Sequence, residues 1–97
     1  MKYEWDVKKA AINFKKHGIS FELGSTVFDD PHHISVLDES SSFNEERWVT
    51  LGLASDSYTV VVIHTYFTTT TRSNEVIRII SARRATKKER KQYEEGI

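Results

Sequence analysis

The sequence predicts an α+β fold: two N-terminal helices, a four-stranded antiparallel sheet and a C-terminal helix. Three observations carry that expectation. Residues 6–31 hold two segments with helix start and stop signals. Residues 33–82 then switch to a period of two, with short connections that favour an antiparallel meander. Thr86 opens a last charged segment with Glu89 three positions later, the pattern of a capping box. The helices are expected on one face of the sheet. The face carrying Trp48 and Thr50 is expected to stay at least partly open.

Each element has its own warrant. Tyr3 to Trp5 reads as a short extended piece. Asp6 is a good N-cap for a helix running to about Lys16, with Ala10, Ile12 and Phe14 supplying part of an apolar face. Gly18 ends it, because glycine takes the left-handed conformation without a Cβ penalty, and His17 suits the negative end of the helix dipole. Ser20 caps a second helix through Phe21, Leu23, Gly24, Val27 and Phe28, and Asp29-Asp30-Pro31 stops it. His33 to Leu37 alternates as the first main strand. Arg47 to Leu53 is the second, with Val49, Leu51 and Leu53 on one face and Trp48, Thr50 and Gly52 on the other. Tyr58 to Phe67 is the third, β-branched through its middle, and Glu75 to Ala82 is the fourth. The last helix spans Lys87 to Glu95.

At 97 residues the chain supports one small domain, 1–97. It has no cysteine, which excludes a disulfide, an iron–sulfur cluster or a zinc–thiolate site. No apolar run approaches the ~20 residues of a membrane span. The N-terminus is charged where a signal peptide needs an apolar stretch, so the expected location is the cytoplasm, with no membrane partner. Net charge is zero, but its distribution is uneven. Residues 1–71 carry six Lys/Arg against ten Asp/Glu, whereas residues 72–97 carry eight against four. Such a dipolar surface can offer a cationic patch to phosphate, or simply solvate the last helix.

Three motifs give a resemblance. They are EWDVKKAAINFKKHGISFE (Glu4 to Glu22) followed by VFDDP (Val27 to Pro31), EERWVTLG (Glu45 to Gly52), and RIISARRATKKERKQYE (Arg78 to Glu94). In this order they resemble the BrnT family of type II toxins, small endoribonucleases of RelE-like fold. The resemblance implies RNA cleavage, growth inhibition and neutralisation by a BrnA-like antitoxin with a ribbon-helix-helix DNA-binding domain. Through that antitoxin the complex would bind its promoter DNA. No cofactor is implied. One position departs from the family pattern: where members carry T-x-R late in the third main strand, this chain has Thr65-Tyr66-Phe67. Either Arg72 substitutes from the following loop, or the catalytic surface is weaker. The alternative function is an inactive module that binds antitoxin or RNA without cleavage.

Metal-independent RNA cleavage needs a proton acceptor for the 2′-hydroxyl, cations for the transition-state charge and an acid for the leaving oxygen. Arg78 and Arg83 are the candidate cations. Five positions apart, they point to opposite faces of a straight strand, unless the strand ends or bulges near Ser81. The alternative for each is a salt bridge to Glu45, Glu46 or Glu89. His64, interior to a strand, is the candidate acid/base, or else a half-buried histidine bonded to a backbone carbonyl. Trp48 either stacks on a base or packs under a helix or an antitoxin segment. Arg47 contacts phosphate or pairs with Glu46, and Arg72 is the third RNA-binding candidate. Tyr93 reads as core. Asp29, Asp30, His32, His33 and Asp38 lack metal-ligand spacing, so no metal is expected.

Overall fold

A computed structural model of the chain describes residues 2–41, 45–68 and 75–96. Helix α1 (Val7–His17) starts where Asp6 accepts the backbone N–H groups of Lys8 and Lys9 at 2.8 and 3.2 Å. It ends at Gly18, at φ +70°. The helix is rotated from the expected face. Ala10, Asn13 and His17 turn inward, while Ile12 and Phe14 are 67% and 56% exposed. Asn13 decides this. Its amide donates to the carbonyls of Ile19 (3.1 Å) and Ala82 (2.8 Å), and its oxygen accepts the Ala82 N–H (3.2 Å). A buried amide with three hydrogen bonds fixes the rotation of the helix and leaves the two apolar side chains in solvent.

Ser20 caps α2 (Phe21–Ser25) through Leu23 N–H, and a 3₁₀ turn, Thr26–Asp29, continues it to the predicted stop. Five strands follow the order β1-β5-β4-β3-β2, with β1 Lys2–Glu4, β2 Ile34–Asp38, β3 Arg47–Leu53, β4 Thr59–Thr68 and β5 Glu75–Arg84. Strands β2 to β5 form the expected antiparallel meander. The sheet is nevertheless mixed and has five strands, because β1 pairs with β5 in parallel, Tyr3 opposite Ile77. Three residues are too few to show an alternation, so this pairing leaves no trace in the local sequence.

One irregularity organises the faces. Ile63 pairs with Ser81 but His64 pairs with Ile79, so Ile80 is the extra residue of a β-bulge. On one face lie Trp48, Thr50, Gly52, Val60, Val62, His64, Tyr66, Ile77, Ile79 and Ala82, by register with one another. Helices α1 and α2 and the 3₁₀ turn cover this face, with Ile19, Phe21 and Val27 fully buried against it. The Trp48/Thr50 face is therefore closed, against expectation. Gly52 makes the closure possible: a Cβ there would lie 3.0 Å from Val27 Cβ and 3.1 Å from the Val27 carbonyl oxygen.

The second face carries Val36, Val49, Leu51, Val61, Arg78, Ser81 and Arg83. Helix α3 (Lys87–Glu95) lies on it beside β3, so the helices occupy both faces rather than one. The reason is β5, which runs two residues past the expected end and delivers α3 on the other side.

Candidate nucleic-acid interface

The bulge at Ile80 shifts the side-chain parity of β5 and brings Arg78 and Arg83 onto the same, more open face. Each meets a carboxylate from outside the central strands. Arg78 Nε donates to Glu4 Oε2 at 3.1 Å, with both side chains about half exposed. Arg83 forms a two-pronged pair with Glu89: Nη1 to Oε1 at 2.8 Å and Nη2 to Oε2 at 2.9 Å. The same Glu89 closes the capping box, as its Oε1 accepts the Thr86 N–H at 2.8 Å and Thr86 Oγ1 accepts the Glu89 N–H. The Arg83 hydrogen bonds hold the Glu89 carboxyl well below its usual range, at about 2, and the same bonds raise Arg83.

Helix α3 is fastened at its other end by Tyr93, whose hydroxyl donates to the Asp30 carboxylate. Burial, then that bond, push Tyr93 up to about 12. Partial burial works to raise Asp30, but Tyr93 and the N–H groups of Leu53 and His32 outweigh it and hold the carboxyl low. Between the helix and the sheet runs a groove of about 210 Å³, floored by Ile34, Val36, Val49, Leu51 and Val61 and walled by Glu89 and Gln92. The outer side of α3 exposes Lys87, Lys88, Arg90 and Lys91.

The remaining candidates scatter. Arg47 is half-buried at the start of β3, in register with Asp38 and on the same face as the two arginines. Trp48 faces the other way, half-buried, with its ring edge-on to Tyr66 at 5.6 Å. Arg72 lies outside the described residues. His64 is 0% exposed, across the sheet from the arginines. Its Nε2 is 2.5 Å from Thr50 Oγ1, which in turn shares a hydrogen bond with Ser35 at 2.6 Å. The rings of Phe28 and Tyr66 meet it edge-on at 4.9 Å each, and Nδ1 has no hydrogen-bond partner among the described residues. Burial pulls its pKa down to about 4, so the imidazole is neutral at physiological pH. The expected acid/base group therefore exposes no atom to a ligand.

The salt bridge between Arg83 and Glu89 is one of the alternatives legible in the sequence; Glu4 as the partner of Arg78 is not. Glu4 comes within reach only through the parallel pairing of β1, in which Glu4 and Arg78 share register. Among the described residues no group of three or more His, Asp or Glu side chains is arranged to hold a metal ion. None of their helices is long and apolar enough to cross a membrane.

Residues 5–89 match the family described as "Ribonuclease toxin, BrnT, of type II toxin-antitoxin system". Among solved structures, the crystal structure of the Brucella abortus ribonuclease toxin, BrnT, superposes with a TM-score of 0.55 at 22% identity. The alignment covers 90% of this chain and 99% of that one, and at this identity it shows a shared fold. The comparison with curated proteins finds no match.

Proposed function

The chain belongs to the BrnT family of ribonuclease toxins of type II toxin-antitoxin systems, and from that premise we propose that it cleaves RNA without a metal ion on its arginine-bearing sheet face. The observation that carries this reading is the bulge, which places Arg78 and Arg83 on one side of β5. In this chemistry the 2′-oxygen attacks the adjacent phosphorus, the P–O5′ bond breaks and the 5′-oxygen takes a proton from water, and the extra negative charge of the transition state needs fixed cations. Arg78 and Arg83 stand opposite Thr65 and Val61, four residues apart on β4, so their backbone positions are about 13 Å apart at ~3.3 Å per residue. They address different phosphates rather than chelating one.

Arg78 is the better placed for the scissile phosphate, because it is exposed and has a carboxylate beside it. A 2′-hydroxyl presented next to an Arg78-bound phosphate meets Glu4, which accepts its proton. Arg83, together with Arg47 and the cations of α3, holds the flanking backbone. Trp48 and His64 belong to the closed face in this reading, and His64 serves the fold. The antitoxin is proposed to be BrnA-like, with a ribbon-helix-helix domain that carries the complex to its promoter, and the toxin acts in the cytoplasm.

A second reading has a specific observation behind it. Phe67 stands where the family pattern has a basic residue, and Arg78 and Arg83 are already paired with carboxylates. A module that binds without cleaving would look like this. Incubating the purified protein with total RNA in EDTA, alongside induced expression in cells, separates the two. Cleavage with growth arrest supports the nuclease. Intact RNA and normal growth at verified expression leave the binding module.

A further inference from the structure

Helix α3 is held to the sheet in an unusual way. None of its nine residues is buried, and its underside presents Glu89 and Gln92, not apolar side chains, to the apolar groove. Among the described residues two polar fasteners hold it: Glu89 on Arg83 near the start, and Tyr93 on Asp30 near the end. A free helix of this length is marginal in water, since isolated helices below ~12–15 residues rarely persist. Its place on the sheet depends on those two contacts.

The Arg83 contact has the geometry of a different ligand. The guanidinium presents its two forked N–H groups to two oxygens of one anion, at 2.8 and 2.9 Å. A phosphodiester also offers two oxygens and a single negative charge, and it satisfies the same fork. We propose that Arg83 is the seat for an RNA phosphodiester, that Glu89 fills this seat in the free protein, and that RNA binding exchanges the carboxylate for phosphate as α3 lifts from the sheet. This rests on the reading of the face as an RNA site and adds its regulation: the free toxin holds one of its own cations closed.

The exchange is balanced in charge, one monoanion replacing another on Arg83. The outer cations of α3, Lys87, Lys88, Arg90 and Lys91, gain phosphate neighbours as the helix moves toward the incoming strand. Glu89 loses the arginine but keeps its capping role, because the Thr86 N–H belongs to the same helix.

The test uses a fluorescent 2′-O-methyl oligoribonucleotide, which binds as RNA does but lacks the attacking hydroxyl. Glu89→Gln retains an acceptor for the Thr86 N–H, since glutamine also serves a capping box, and removes the competing charge. It should bind the probe about fivefold tighter in anisotropy titrations, the range expected for freeing a partly buried ion pair. Tyr93→Phe loosens the other fastener and should tighten binding by about twofold. Glu95→Gln, an exposed carboxylate on the same helix, gives the effect of charge alone and should change binding less than Glu89→Gln. In the Arg83→Ala background the Glu89→Gln gain should vanish. Hydrogen exchange of the α3 amides should quicken when the probe is added to the parent protein.

Equal or weaker binding by Glu89→Gln overturns the proposal, as does a gain that survives Arg83→Ala, a gain matched by Glu95→Gln, or α3 amides that stay protected. Absence of binding by every variant overturns it too. Because the probe cannot be cleaved, the seat is judged apart from catalysis. A tightened Glu89→Gln variant that never cuts natural RNA keeps the seat and rejects the nuclease.

Discussion

The two faces of the sheet are built from the same five strands yet treat polar groups in opposite ways. On the closed face the polar groups satisfy one another inside the core, along the chain from His64 to Thr50 to Ser35. On the other, the cations reach outward and are met by carboxylates borne on β1 and α3, Glu4 and Glu89. A titratable residue on this scaffold is thus enclosed or turned to the more open side according to its parity in the strand, and the bulge at Ile80 sets that parity for Arg78 and Arg83. A histidine between Val62 and Tyr66 looks equipped for acid/base work in the sequence. In the fold it is walled in by Phe28 and Tyr66.

The sharpest way to break this contrast is to strike each face and compare the consequences. Arg78→Ala should lower RNA cleavage by ~10²–10³, or about 3–4 kcal/mol of barrier, with circular dichroism and melting little changed. Arg83→Ala, by contrast, should lower cleavage at subsaturating RNA through weaker binding and should also lower the melt by loosening α3. Variants at His64 should instead move the melt and leave the cleavage rate per folded molecule intact. If His64→Asn abolishes cleavage while the protein remains folded, and either arginine variant retains full rate, the assignment of the faces is reversed.

A second test reads the closed face through pH. Burial depresses the folded-state pKa of His64 to about 4, from an ordinary 6.5. The unfolded chain therefore takes up this proton first as pH falls. The contribution is fully present above 6.5 and is lost between 6.5 and 4, by an amount on the order of 3 kcal/mol. Glu89, held at about 2 against an ordinary 4.5, gives up its contribution between about 4.5 and 2, below the pH 5 measurement. Urea midpoints at pH 7 and pH 5 should accordingly fall for the parent and stay nearly level for His64→Asn. A parent midpoint that is flat across that interval would remove the burial argument.

The difference between the faces also explains what the sequence does and does not reveal. Caps are local, so Asp6, Gly18, Ser20 and the Thr86–Glu89 box act as read. The antiparallel meander follows from alternation and short loops. The extended piece near Tyr3 is legible too, but its parallel pairing into the sheet is not, because the partner lies more than seventy residues away. Nor is the bulge: nothing in Arg78 to Arg84 marks Ile80 as the unpaired residue, and without it the two arginines diverge. Trp48 and Thr50 look like surface residues beside Val49 and Leu51. Only the fit of Val27 against Gly52 shows which side the helices take. Sequence periodicity gives two faces to each strand but does not say which is covered.

Asn13 sharpens the comparison from the helix side. Its amide satisfies the Ala82 backbone on the edge of β5 that faces away from β4, beyond the stretch β1 covers. Asn13→Ala would leave the Ala82 N–H and carbonyl and the Ile19 carbonyl without this partner in a buried site. A loss of about 2–3 kcal/mol is expected, measurable as a lower urea midpoint. Asn13→Asp should not rescue it, since a carboxylate cannot donate to the two carbonyls. A midpoint near that of the parent would mean that water replaces the amide and that α1 is held by something else.

The smallest effect is expected one position further along. Phe14 looks like a core residue in the sequence, spaced with Ala10 on an apparent apolar face, yet it is 56% exposed on the outer side of α1. Its burial contributes little, and serine and phenylalanine have similar helix propensities. Phe14→Ser should therefore shift stability by no more than about 0.5 kcal/mol, the range of ordinary surface substitutions. The neighbouring pair makes a clean measurement: two adjacent positions, one polar and one aromatic, with the polar one carrying the larger loss. Comparing the urea midpoints of Asn13→Ala and Phe14→Ser side by side decides it. If Phe14→Ser costs as much as Asn13→Ala, the helix is seated on its apolar residues, and the rotation of α1 that leaves Ile12 and Phe14 in solvent is not the one the folded chain adopts.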